Sequence, residues 1–457
     1  MSTCSLENCE YECFEQENKC ILHCEKDDWY EIKDNKKDWS KSIEKVKLFW
    51  KEIRNIIFNS QQKLSKFLPI SFNNIIFPKF EGNGLSSNVL DYEDSFFIKK
   101  GEKKFTQSVN FNNCTFLDCV DFTNIHFEKD IVFSKCTLKD EIKFKRQQNI
   151  RISFLNCPEI KSLDFSKIVF EQKVEIKECV INSCNFENTR FKKVCDFYKT
   201  EFYSNLFFKT TFEDIAVFTE AVFHNDVNFE FTTFEKLALF RKTKFHTKVN
   251  FEDSIFKEEA NFLDIDAGMA NRETARIIKN SFEQQNNIIE ANRFYALEMQ
   301  EREKELTKDI LKGESISEWL IFKIHSLSSD HSQSWFLALL WIIIATVIYS
   351  TLSASTMSFD KNIFTATIVF GVLSFCAIAC SEKNKYKKHI TSFVILGLLL
   401  VNYLVIVKSP LECFSKNINP FGSIGVDISF GLLLFKVIIA YLIYQFIISV
   451  RQNTRRK

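Results

Sequence analysis

The N-terminal stretch carries six side chains able to bind a soft metal: Cys4, Cys9, Cys13, Cys20, His23 and Cys24. Cys4, Cys9, Cys20 and His23 read C-x4-C-x10-C-x2-H, two close pairs separated by a loop. That spacing allows three thiolates and an imidazole to converge on one tetrahedral zinc ion. Cys13 and Cys24 are alternative ligands. A structural site is expected rather than a catalytic one, because nothing nearby supplies a base.

The frame that must position this cluster is written in phenylalanine, which accounts for 50 of the 457 residues. From Phe186 to Phe262 a Phe recurs every five or six residues, at 186, 191, 197, 202, 207, 212, 218, 223, 229, 234, 240, 245, 251, 256 and 262. Two positions before each ring stands a small or β-branched residue, among them Cys184, Thr189, Ala221 and Val249, with Asn205 the exception. The position between is often Asn or Asp, as at Asn185, Asp196, Asn228, Asn250 and Asn261. Such alternation describes a very short strand that turns the small residue and the Phe to one interior. A strand that short must stack on copies of itself, which is the logic of a solenoid. Four sides closing one coil use about 20 to 22 residues, so Phe105 to Phe262 predicts seven or eight coils and a rod of about 35 to 40 Å. Glu81 to Lys104 and Lys139 to Pro158 break the register and read as loops or irregular coils. With 10 Gly and 5 Pro in the chain, the turns are not built on glycine.

Units such as Val249-Asn250-Phe251 and Ala260-Asn261-Phe262 resemble the pentapeptide-repeat family, and the spacing is similar to its phenylalanine-rich branch. The resemblance implies an all-β right-handed quadrilateral β-helix and, for most members, an interaction surface rather than an activity. The N-terminal cluster is similar to short zinc-knuckle modules.

Within the repeats, Cys114, Cys136, Cys179, Cys184 and Cys195 fill the small-residue slot and read as buried hydrophobes. His224 and His246 each follow a repeat Phe and lie 22 residues apart, so they stack at one corner if a coil has that length. Two ligands there are too few for a metal site.

The remainder divides by period. Residues 1–34 form the Cys/His module. Residues 35–69 carry a basic amphipathic helix, Trp39 to Leu68, with Ile43, Val46, Trp50, Ile53 and Ile57 on one face. It reads as the lid of the first coil, a membrane-surface helix being the alternative. Residues 70–264 are the β-helix. Residues 265–334 hold helix from Asn271 to Lys312, either continuous or a hairpin bent near Asn286 and Asn287, which caps the last coil and leads to the membrane. Residues 335–450 contain four apolar runs of spanning length: Trp335 to Leu352, Ile363 to Cys380, Ile390 to Val407 and Ile428 to Val450. Lys383, Lys385, Lys387 and Lys388 between the second and third, and the basic tail 451–457, are expected in the cytoplasm together with the solenoid. The expected address is therefore a bacterial inner membrane, multi-pass, with reduced thiols. Lys436 lies near the outer end of the fourth run, where snorkelling accounts for its charge.

No phosphate-cradling loop, nucleophile elbow or paired helical His motif is present, so no catalysis is expected. The function that best fits is a membrane-anchored cytoplasmic scaffold that binds a protein partner, with the lipid bilayer as its other partner. An ion channel or transporter with a regulatory β-helix is the alternative. Its support is the Gly422 to Gly425 segment before the last run, although Phe421-Gly422-Ser423-Ile424-Gly425-Val426-Asp427 lacks a Gly-aromatic-Gly filter core. A DNA mimic that protects a topoisomerase ranks third, because a net charge of +1 and mixed charges on the repeats give no dense negative surface.

Overall fold

A computed structural model describes residues 3–6, 9–15, 17–38, 42–62, 68–78, 104–122, 125–144, 147–358, 396–401, 403–405, 407, 409–421 and 429–454. They fall into two units, Met1–Ser281 and Phe282–Lys457.

In the first unit the repeats form a β-solenoid of parallel strands with four faces. On one face Val109 pairs with Ile131, then Ile152, Val174, Cys195, Ala216, Ala238 and Ala260, seven steps of 21 or 22 residues each. Ile70–Asn73 precedes them as the first coil. The break at Glu81 to Lys104 lies outside the described residues except for Lys104, which opens a strand. Lys139 to Pro158 is a correction, since its described residues stay in the solenoid. Thr137–Lys143 and Ile152–Leu155 pair in register on both sides, with a bulge between Leu138 and Glu141. Leu138 and Ile160 take interior slots that Phe fills elsewhere, as at Phe116 and Phe202, which hides the period in the sequence.

Rings stack from coil to coil at the strand spacing, as the alternation predicts. Phe202, Phe223 and Phe245 follow at 4.8 Å intervals, and Phe170, Phe191, Phe212 and Phe234 at 5.1 Å. Two more ladders pass through Phe207, Phe229 and Phe251 and through Phe197, Phe218, Phe240 and Phe262.

The polar position beside each ring has a specific task. Asn185, Asp196, Asn228, Asn250 and Asn261 each accept, through Oδ1, the backbone N–H two residues on, at 2.8 to 3.2 Å. These Asx turns bend the chain at the corner. The corner residue that follows is left-handed without being glycine, at Asn188, Lys199, Phe231, Asp253 and Asp264 after these turns and equally at Lys209, Glu220 and Lys242, where the position beside the ring is Leu or Val. The small residue that follows is a hydroxyl or thiol donor in most coils. Thr200, Thr210, Thr232 and Thr243 donate to carbonyls of the preceding coil at 2.6 to 2.7 Å, and Cys114 and Cys136 do so at 3.3 Å. Cys114 and Cys136 are thus buried surrogates for threonine, and Cys179, Cys184 and Cys195 are likewise buried small residues, each with at most 3 % exposure.

Helices flank the solenoid. Helix α1 (Ile43–Gln62) buries Val46, Phe49, Trp50, Ile53 and Ile57 and lays Phe49 and Trp50 against Phe77 of the first coil, at 5.7 and 6.0 Å. At the other end α2 (Arg272–Gln284) returns hydrogen bonds to the last coil: Thr274 Oγ1 accepts from the Phe251 N–H, and Ser281 Oγ donates to the Ala260 carbonyl.

The second unit contains α3 (Ile288–Ile310), α4 (Ile316–Ser329), α5 (Trp335–Ser358), α6 (Pro410–Ile418) and α7 (Phe430–Thr454). Asn286 is left-handed and Asn287 caps α3 by accepting from the Glu290 N–H, so the helical stretch is bent where the asparagines stand. Two helices, over Trp335–Ala354 and Phe430–Gln452, are long and apolar enough to cross a membrane. They run antiparallel, with Trp335 beside Phe446 and Tyr349 stacked on Phe435. The second expected run, Ile363 to Cys380, lies outside the described residues, and of the third only parts from Leu396 onward are described.

Candidate metal centre

The chain from Thr3 to Cys24 is held by short backbone links rather than by regular structure. Thr3 bridges Glu12, the Cys4 N–H donates to the Tyr11 carbonyl, and the Ser5 N–H donates to Asn18. The second pair sits on one tight turn, where the N–H groups of His23 and Cys24 both donate to the Cys20 carbonyl at 3.0 and 2.9 Å.

These turns bring Cys4, Cys9, Cys20 and His23 together, with all four ligand atoms within 4.8 Å of one another. His23 Nδ1 lies 3.7, 3.5 and 3.2 Å from the sulfurs of Cys4, Cys9 and Cys20, and the Cys9 and Cys20 sulfurs are 3.7 Å apart. A tetrahedral zinc with ordinary bond lengths separates its ligands by about 3.6 Å for S···N and about 3.8 Å for S···S. The donor set fits the ion.

The imidazole is oriented for that task. His23 Nε2 donates to the Asn73 carbonyl at 3.2 Å, which leaves the Nδ1 lone pair facing the sulfurs. Burial pushes the Cys20 thiol up to about 12, with Cys9 adding to the shift, so a bound cation must displace a proton to form the thiolate. The two alternative ligands stand apart: the Cys13 thiol donates to the Thr3 carbonyl and the Cys24 thiol to the Ile21 carbonyl.

A residue with no distinguishing motif supports the module. Lys26 is completely buried, donates to the Leu22 and Cys24 carbonyls at 3.3 and 2.9 Å, and lies over the rings of Trp29 and Phe49 at 5.4 and 5.2 Å. Burial lowers its ammonium to about 8. The module thereby meets α1 through Phe49, and the Ile76 N–H of the first coil donates to the Leu22 carbonyl at 3.0 Å.

Other expected sites resolve differently. His224 and His246 do stack, ring centres 5.1 Å apart, but His224 also packs on Tyr203 at 4.2 Å and bonds Glu201 at 3.0 Å, a surface ladder rather than a ligand pair. Lys436 donates to the carbonyls of Asn417 and Asn419, neutralising the C-terminal end of α6. Gly422 to Asp427 lies outside the described residues.

Residues 207–255 match the family model described as Pentapeptide repeats (9 copies), within the stretch where the four ladders are most regular. No curated protein and no solved structure matches the chain.

Proposed function

We propose that this chain, a pentapeptide-repeat protein, acts as a membrane-anchored scaffold in the inner membrane of a bacterium, presenting its solenoid to a protein partner in the cytoplasm. One observation carries the reading. The solenoid spends its interior on stacked Phe rings, so only the outer faces and corners remain for recognition. The antiparallel pairing of α5 and α7 supports a shared side for the chain entering at Trp335 and the basic tail leaving after Thr454. A zinc ion on Cys4, Cys9, Cys20 and His23 serves as a structural clasp between the N-terminal module and the first coil, and no catalysis or nucleic-acid partner is invoked.

A second reading, an ion channel regulated by the β-helix, is favoured by α6, a nine-residue helix directly before the Gly422 to Asp427 stretch and the final apolar helix. Reporter fusions and bilayer recordings separate the two. Fusions at the N-terminus and after Lys457 should report cytoplasm and one at Asn417 the opposite side, with no ion-selective current from the full chain. A protease site engineered after Lys312 should release the crosslinked partner with the soluble fragment. Currents whose selectivity changes with Gly425→Ala or Asp427→Asn would replace the scaffold with the channel.

A further inference from the structure

Two histidines outside the metal centre are built into a continuous hydrogen-bonded chain. His325 closes the last turns of α4, and His331 follows on the turn into α5 with 2 % exposure. That turn has an unusual backbone: Asp330, His331 and Ser332 are all left-handed, with φ of 51, 52 and 65°, and none is glycine. Left-handed backbone is unfavourable for a residue with a Cβ, so the surroundings must impose the conformation. Its result is that His331 Nδ1 faces His325 Nδ1 at 3.3 Å.

Both rings have partners on their other nitrogens. His331 Nε2 lies 3.3 Å from Glu303 Oε2 on α3, and the second oxygen of Glu303 accepts from Lys323 at 3.0 Å. Burial works to raise the Glu303 carboxyl, but the hydrogen bonds from His331 and Lys323 outweigh it and hold the group at about 2. His325 Nε2 lies 3.1 Å from Ser332 Oγ, and Ser332 and Ser329 reach Gln445 Oε1 of α7 at 3.4 and 3.1 Å. The other groups at this junction are the Phe322 ring, Asp330 in the turn itself, and the Tyr441 hydroxyl, 3.4 Å from Ser328 Oγ.

Donor and acceptor roles then follow from valence. The Glu303 carboxylate only accepts, so His331 Nε2 carries a hydrogen and, in the neutral ring, Nδ1 is a bare acceptor. The proton between the rings must come from His325 Nδ1. His325 Nε2 is therefore bare and draws the Ser332 hydroxyl toward itself. One added proton reverses this order: His325 Nε2–H donates to Ser332 Oγ, and the hydroxyl turns to Gln445. A second added proton would set two N–H groups against each other across 3.3 Å, so the pair takes one.

We infer that His325 and His331 together form a single proton-binding site whose occupancy decides whether Ser332 bonds to His325 or to Gln445 on α7. Protonation adds a hydrogen bond between the α4–α5 turn and α7, so acidification tightens the C-terminal end of α7. Burial, and then the neighbouring His331, work against a charge on His325, in keeping with one proton rather than two on the pair. The inference stands apart from the scaffold reading and from the number of membrane spans.

Imidazole C2-proton exchange by mass spectrometry on the full chain in detergent reads each histidine separately. His325 and His331 should take up one proton between them rather than two. Amide exchange of the peptide covering 441–454, corrected for intrinsic rate, should slow by about fivefold through the same transition, the worth of one hydrogen bond. Gln445→Leu should abolish that change while leaving the shared titration. Two histidines titrating independently at ordinary values, or pH-independent protection in the unsubstituted chain, would overturn the inference even if Gln445→Leu fails to fold.

Discussion

His23 Nε2 lies 3.2 Å from the carbonyl oxygen of Asn73, so the imidazole that turns Nδ1 to three sulfurs is tied by its other nitrogen to the first strand of the solenoid. Order in the Cys/His module and order in the first coil are thereby linked. The purified full chain should hold one zinc, and Cys20→Ser should lose it. Chelation should also speed exchange of the Ile76 amide, which donates to Leu22. Retention should weaken as pH falls, because each thiolate must be kept against a proton. Zinc-loaded protein whose Cys4, Cys9 and Cys20 thiols alkylate freely would refute the site.

Ladder and corner positions should differ sharply in stability. Phe223 is fully buried between Phe202 and Phe245, and Phe223→Ala should cost about 3 to 5 kcal/mol. His224, on the outer face, should cost about 0.5 kcal/mol on replacement by Ala. Urea midpoints of the two variants provide the check, and equal shifts would mean that the faces are misassigned.

Asn205 breaks the small-residue rule, and both polar atoms of its amide are sealed from solvent without a hydrogen-bond partner among the described residues. Asn205→Val should raise stability by about 1 kcal/mol by removing that desolvation cost. A destabilised variant would show that the amide is satisfied by bound water.

Glu175 sets an acid limit. It is buried beside Arg151, Lys173 and Lys177 and accepts from Ser153 Oγ. Burial opposes the charge, yet the hydrogen bonds from Lys173, Arg151 and Lys177 prevail and hold the carboxyl at about 2. A depressed carboxyl contributes stability that is complete above its unfolded value, about 4.3, and fades as pH falls toward 2. The loss between pH 6 and pH 3 should be about 2 kcal/mol and be absent in Glu175→Gln. Denaturation of both forms at pH 6 and pH 3 gives the comparison, and an unchanged pH slope would dismiss the network.

Much of the solenoid was legible because its rule is local: the ring, the small residue and the Asx between them repeat within three positions. The rule became invisible where Leu138 and Ile160 replaced Phe, although the packing stayed the same. The clustering of Cys4, Cys9, Cys20 and His23 was legible as spacing, while the separate placement of Cys13 and Cys24 needed the backbone turns that point their thiols to carbonyls. Nothing periodic announces Lys26. The His325 and His331 pair depends on a left-handed turn made without glycine and on Glu303, which lies 28 residues away in the chain.

Equal coils also make length a separable trait. Cys195 and Ala216 occupy the same register position one coil apart, both reached from Val174 by stacking. Excising residues 195–215 would join Val194 to Ala216 and let Ala216 inherit the place of Cys195, shortening the rod by about 4.8 Å while both ends keep their caps. Duplication of the same stretch would lengthen it by as much. Reach can therefore change in unit steps over descent, with neither the N-terminal Cys/His module nor the apolar helices having to change.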